Sequence, residues 1–162
     1  MSKLYLITGP CGVGKSTISK ALAERLEKSV LIEGDCIYHM VVSSYVPAWK
    51  PGNHLDLFWE NVTCLIKNSL KKGYDVVFNY IIKKDDYLML KEKFNRYDVI
   101  FKVLISDEKE LLRRDKLREE ENRMNERCLI LLNSFIKENF DEEFIIDSTH
   151  LNIENMVERI IR

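Results

Sequence analysis

The chain has 162 residues, a length that fits one domain, and its 46% hydrophobic and 31% charged residues are ordinary for a globular protein. Lys and Arg number 25 against 26 Asp and Glu, a formal net charge of −1. A protein that grips nucleic-acid backbones carries a clear basic excess, so this balance argues against nucleic acid as a main partner.

Met1-Ser2-Lys3 runs without a signal-peptide layout into Leu4-Tyr5-Leu6-Ile7-Thr8, an apolar run that predicts a parallel strand buried on both faces. A glycine-rich loop follows, then a helix from about Lys15 with Ile18, Ala21, Leu22 and Leu26 on its apolar stripe. Residues 29–33 predict a second strand ending at Gly34-Asp35, and residues 36–45 a helix broken by Pro47-Ala48-Trp49-Lys50-Pro51-Gly52. Leu55, Phe58, Trp59, Val62, Leu65, Ile66 and Leu70 mark an amphipathic helix that stops near Gly73. Strands at 75–82 and 99–105 flank a helix at 85–95, and Ser106, with Asp107 and Glu108 behind it, reads as the next helix start.

From Arg113 to Arg127 the chain is almost wholly charged. Cys128, Leu131, Leu132, Phe135 and Ile136 resume a helical stripe, Phe144-Ile145-Ile146 predicts a fifth strand, and Ile153, Met156, Val157, Ile160 and Ile161 a last helix. Strands alternating with helices predict a parallel sheet covered on both faces. The four cysteines form no CxxC pair, which argues against zinc, and Cys64 and Cys128 sit at apolar helical positions that predict small core residues. No apolar run approaches the roughly 18 residues a membrane span needs. The expectation is a reduced, cytoplasmic, soluble protein.

Gly9-Pro10-Cys11-Gly12-Val13-Gly14-Lys15-Ser16 fits GxxxxGK[ST], and Thr17 extends it. Glycines let successive N–H groups converge on an anion, and the helix that starts at Lys15 points its positive dipole end at the same place. Lys15 then reaches the β- and γ-phosphates of ATP, and the Ser16 hydroxyl is placed to ligate Mg²⁺. An apolar strand before and an amphipathic helix after are the context this motif requires. Cys11 reads as a loop filler.

Four stretches in this order, GPCGVGKST, LIEGD, ELLRRDKLREEENRMNER and IIDSTHLNIENMVERI, make the chain resemble small P-loop kinases of the gluconate kinase, shikimate kinase and chloramphenicol phosphotransferase group. The resemblance spans nearly the whole length. It implies an α/β P-loop NTPase fold, three layers with a five-stranded parallel sheet in the order 2-3-1-4-5, as one domain over 1–162. It also implies a substrate region at about 36–72, an arginine-rich lid at about 113–127, and transfer of the γ-phosphoryl group of ATP to a hydroxyl of a small acceptor.

Asp35 then becomes the acceptor-side catalytic group, with Glu33 as its neighbour and a helix N-cap as its plain structural role. Arg114, Arg118 and Arg123 match lid positions over the phosphates, although the interleaved Glu110, Asp115, Glu119, Glu120, Glu121 and Glu126 would also suit a solvated helical face. Ser148 and Thr149, after the last strand, fall where related kinases pass the adenine. Asn79 stands where a metal-organising aspartate is often found, and an amide cannot supply that charge. His39, Trp49 and His54 fall in the acceptor region. The expected cofactors are ATP and Mg²⁺, the partner a small-molecule acceptor, and the state monomer or homodimer. Two other readings stand beside this one: a nucleoside, nucleotide or polynucleotide 5′-hydroxyl kinase, and an ATP-binding regulatory protein with little transfer activity.

Overall fold

The computed structural model describes residues 2–50 and 52–162, apart from the side chain of Asn122; Met1 and Pro51 lie outside the described residues. Five strands, β1 (Lys3–Thr8), β2 (Ser29–Glu33), β3 (Asp75–Asn79), β4 (Asp98–Ile105) and β5 (Ile145–Asp147), form one parallel sheet in the order β2-β3-β1-β4-β5. The most apolar strand takes the centre. Leu4 to Thr8 are all buried, and Thr8 is tolerated there because its hydroxyl accepts from Ile82 N at 2.8 Å and donates to Ile82 O at 3.2 Å.

Among the described residues seven α-helices flank the sheet: α1 (Lys15–Arg25), α2 (Gly34–Tyr38), α3 (Leu55–Lys71), α4 (Lys84–Lys93), α5 (Glu108–Lys116), α6 (Glu126–Lys137) and α7 (Ile153–Ile161). The period-two alternation of β1 divides the core. Leu4 and Leu6 pack with Phe58, Val62 and Ile66 of α3 and Leu90 of α4. Tyr5 and Ile7 face Ile18 and Leu22 of α1 and Met156 and Ile160 of α7. Helices on both faces leave the carboxyl ends of the strands as the open edge where the loops gather.

Four local expectations are corrected. The helix expected over 36–45 ends at Tyr38. The Tyr38 ring turns inward, 5.7 Å from Phe58 edge-to-face, and its hydroxyl donates to the Val46 carbonyl. Bringing Val46 back to Tyr38 requires a reversal, in which Ser44 adopts φ 58°. Strand β3 stops at Asn79 rather than Ile82 because its neighbour β2 ends opposite, at Glu33. Asp107, not Ser106, caps α5, its Oδ1 accepting from Glu110 N at 2.7 Å. Cys64 is exposed while Cys128 is buried. The buried stripe of α3 runs Phe58, Val62, Ile66, Leu70, and Cys64 lies two residues from two of these, on the opposite side of the helix.

Gly34, at the junction of β2 and α2, lies under the ring of Tyr80. A Cβ there would sit 2.5 Å from Tyr80 Cδ2 and 2.8 Å from Tyr80 Cβ, and the latter cannot swing away. Gly34→Ala should therefore lose about 1–3 kcal/mol to overpacking. Urea unfolding measures this, and an unchanged midpoint would show that the contact is not tight.

Candidate functional site

The chain leaves β1 at Thr8 and enters the glycine loop. Gly9 has φ 145° and lies so close to β4 that a Cβ would meet the Leu104 carbonyl oxygen at 2.2 Å. Gly14, at φ 98°, is the N-cap of α1 and brings no side chain to the helix end. The first turn of α1 also has no acidic residue and no side-chain cap, so its orphan N–H groups are left to an external anion.

Lys15 arches back over the loop, Nζ donating to Gly9 O at 2.9 Å and Pro10 O at 3.0 Å. Burial lowers its pKa, opposed by the Asp35 carboxylate and reinforced by Arg118. Burial likewise raises the Cys11 thiol, against Lys15 and Arg118, so Cys11 stays protonated near neutral pH and is no ready nucleophile. Ser16 and Thr17 are exposed, and no hydrogen bond occupies either hydroxyl among the described residues. The loop thus fits a polyphosphate: converging N–H groups, one lysine and a free hydroxyl.

Beside the loop a cleft of about 600 Å³ opens between Val13, Gly14, Arg114, Leu151, Asn152 and Met156. Arg114 builds its wall. Nη1 donates to Val13 O at 3.2 Å and Ser148 Oγ at 3.1 Å, Nη2 to Ser148 O at 2.8 Å, and Nε to Glu110 Oε1 at 2.7 Å. Hydrogen bonds from Arg113 and Arg114 hold the Glu110 carboxyl down at about 2. The Ser148 hydroxyl is already committed, donating to Ile105 O at 2.8 Å. Thr149 donates its hydroxyl to Asp147 Oδ1 at 2.6 Å and accepts from Asp107 N at 2.9 Å. Both hydroxyls are therefore engaged within the protein, and the apolar Leu151 lines the cleft beside them.

Across the loop stands Asp35. The N-cap of α2 is Glu33, without a side-chain cap bond, and Asp35 lies inside the first turn, exposed, its carboxylate without a hydrogen-bond partner among the described residues. The helix-cap reading of Asp35 thus fails. Its charge acts on Lys15, Cys11 and Tyr80. Asn79, paired in register with Ile7 and Glu33, is 4% exposed, and its Nδ2 is buried without a partner among the described residues. Tyr80, which sequence reasoning missed, covers Gly34 and faces Asp35; burial, then Asp35, raises its phenol well above the ordinary value. Its signal was its place beside Asn79 at the carboxyl edge, masked by reading β3 through to Ile82.

The remaining arginines divide. Arg118 pairs with Asp115 at 3.5 Å, and its charge acts on Lys15 and Cys11. Arg123 is exposed, its Nε donating to Arg118 O at 3.1 Å. Arg127 lies 3.6 Å over the Trp49 ring and so joins the arginine segment to the loop between α2 and α3. Asp115 is 2% exposed, not part of a solvated face, and accepts from Met124 N at 3.0 Å and Asn125 N at 2.8 Å. Burial alone would raise its pKa, but the Met124 and Asn125 N–H groups, the Cys128 thiol and Arg118 outweigh it and hold the carboxyl below the usual range.

A glycine loop between the central strand and α1, under a sheet in the order 2-3-1-4-5, is the P-loop fold of the small kinases. The AAA domain family matches residues 6–146, and the chain belongs to that family. A sugar kinase from Janibacter sp. HTCC2649 has a similar fold, with a TM-score of 0.73 at 15% identity over 98% of this chain and 92% of that one. The tunicamycin resistance protein of Deinococcus radiodurans gives 0.71 at 18% identity over 99% and 94%, and a gluconokinase from Sinorhizobium meliloti 1021 gives 0.69 at 19% over 98% and 89%. No curated protein matches the sequence. No helix among the described residues is long and apolar enough to cross a membrane.

Asp115 makes a pH-dependent prediction. A carboxyl depressed in the folded state stabilises it above its unfolded pKa of about 4, and that contribution is lost as pH falls through the folded value. Asp115→Asn should lower stability by about 1–3 kcal/mol near neutral pH, from the weakened hydrogen bonds to Met124 and Asn125. The gap to the parent should narrow below about pH 4. A gap independent of pH, measured by denaturant unfolding, would contradict this account.

Proposed function

We propose that the protein is an ATP-dependent phosphotransferase that moves the γ-phosphoryl group of ATP to a hydroxyl of a small-molecule acceptor. The observation that carries this is the placing of Asp35: an exposed, unpartnered carboxylate electrostatically coupled to the loop lysine, on the carboxyl edge where the acceptor region begins.

On this reading the polyphosphate lies in the loop over residues 9–17, with Lys15 exchanging its bonds to Gly9 O and Pro10 O for phosphate oxygens. The base enters the cleft beside Arg114. The acceptor oxygen attacks the γ-phosphorus in line, its proton passes to Asp35, and the bond to the bridging oxygen of ADP breaks. Arg118 and Arg123, on a segment anchored through Asp115, close over the transferring group as the lid. Positive charge there stabilises what develops on the phosphoryl oxygens, and closure keeps water out. Mg²⁺ would be held by the Ser16 hydroxyl together with phosphate oxygens, and would neutralise charge on the phosphates. Among the described residues no group of three or more His, Cys, Asp or Glu could hold a metal. Asn79 beside the site offers an amide in place of a second carboxylate. The setting is the cytoplasm, and the protein acts as a monomer or homodimer.

Lys15→Ala should retain its melting temperature within a few degrees and weaken ATP binding by at least about tenfold, since a charged hydrogen-bonding partner of phosphate is lost. Calorimetric titration measures it, and unchanged affinity would remove the basis of the proposal. Asp35→Asn should bind ATP normally yet transfer phosphate about 10²–10⁴-fold more slowly. The substitution removes charge and keeps shape, so full activity would end the catalytic role of Asp35 and pass it to Glu33.

A further inference from the structure

Arg127 differs from the four other arginines between residues 113 and 127. Arg113 and Arg114 are held by Glu110, Arg118 by Asp115, and Arg123 by the Arg118 carbonyl. The Arg127 guanidinium makes no ion pair and donates no hydrogen bond among the described residues. Its partner is a ring instead, the Trp49 indole, whose centre lies 3.6 Å from Cζ. A guanidinium over a ring uses its flat face and keeps its five N–H donors for another partner. Arg118 and Arg123 are exposed, whereas Arg127 is half-buried, so donors left without a partner cost more there.

The chain on either side of Arg127 is tied to the glycine loop. Asp115 Oδ2 holds Asn125 N at 2.8 Å, and Asp115 Cβ lies 3.8 Å from where a Cβ on Gly12 would stand. Cys128, the next residue, is buried in the apolar cluster against which Cys11 packs. Arg127 therefore sits at the rim of the loop, and its charge acts on the Cys11 thiol together with those of Lys15, Arg118 and Asp35. That company sets it on the Asp35 side of the loop, away from the cleft beside Arg114. It also stands in the first turn of α6, where the helix dipole disfavours a cation, and Glu126 beside it makes no ion pair with it among the described residues. An anion would relieve all of these costs together.

We propose that Arg127 is a further residue of the phosphoryl-transfer site, its N–H rim meeting the terminal phosphate of a nucleotide in the glycine loop, and that Trp49 is the residue that positions it. This rests on reading residues 9–17 as a polyphosphate loop and is independent of the acceptor. The phosphate on the Asp35 side of the loop is the terminal one, because the base lies on the other side, beside Arg114. A planar fork of donors matches two phosphate oxygens, which the single ammonium of Lys15 cannot do. Trp49 holds the guanidinium in place before the nucleotide arrives, so little side-chain freedom is lost on contact. The ring is 60% exposed and adds little to the core, so its replacement leaves the fold intact.

The test is calorimetric titration of the full chain, with Mg²⁺ present, by ADP and by the β,γ-imido analogue of ATP. Arg127→Leu should weaken the analogue about tenfold or more and ADP less than about twofold, because the analogue alone carries the terminal phosphate. Arg127→Gln, which keeps a polar stem, should do the same. Trp49→Leu should weaken the analogue about two- to fivefold and again spare ADP. Trp49→Phe restores a ring face and should recover the parent affinity within about twofold, a rescue that a merely structural role would not show. Unchanged affinity for the analogue in the two Arg127 variants overturns the proposal, as does an equal loss for both nucleotides in both variants. Equal behaviour of Trp49→Leu and Trp49→Phe overturns the positioning role. A parent chain that binds neither nucleotide removes the loop reading itself, whereas a parent that binds both, with variants that lose nothing, removes Arg127 alone.

Discussion

Gly9 passes β4 with no room for a single methyl group, 2.2 Å separating its would-be Cβ from the Leu104 carbonyl oxygen. That close approach fixes the start of the loop to the centre of the sheet, and the rest of the site takes its position from it. With the loop pinned there, Lys15 can reach back to Gly9 O and Pro10 O, and Val13 O is presented to Arg114. Arg114 in turn locks Ser148 after β5, so three elements distant in sequence form one rigid wall around the cleft. An anion placed against α1 would find its donors already arranged, which is where catalytic electrostatics gains most.

The second constraint is a balance of charge around that loop. Lys15, Asp35, Arg118 and Cys11 bear on one another, and burial acts on the lysine and the thiol from the protein side. A lysine held partly out of water with a nearby carboxylate is a poised partner for phosphate, because bringing in the anion relieves an unfavourable desolvation. Asp115 performs the matching task for the arginine segment. Its buried carboxylate gathers two backbone N–H groups and Arg118, so the loop that carries Arg118 and Arg123 hangs from a fixed point rather than from a solvated helix.

What the sequence made legible was what local rules determine. The glycine spacing identified the loop, the apolar run at Leu4 identified the central strand, and alternating elements identified the layered sheet. The stripe of α3 and the buried Cys128 followed from helical periodicity. What escaped depended on contacts between distant residues. The helix stops at Tyr38, whose ring packs on Phe58, twenty residues on, and no periodicity signals the reversal that follows. Asp115 looks like its acidic neighbours until Met124 and Asn125 return to it. Ser148 carries a hydroxyl that invites a ligand, yet the hydroxyl is satisfied within the protein. Tyr80 is apolar in pattern and became part of the site only through the packing that makes Gly34 necessary.

The account stands on phosphoryl transfer from a loop-bound nucleotide to an acceptor hydroxyl placed by Asp35. Phosphorus NMR of the protein with ATP, Mg²⁺ and a panel of sugars, sugar acids, nucleosides and aminocyclitol or phenicol antibiotics addresses that claim directly. The account predicts that the γ-phosphate resonance declines as resonances of ADP and of a new phosphomonoester rise together. Persistence of ATP, or its conversion to ADP and inorganic phosphate with no phosphomonoester, would contradict it.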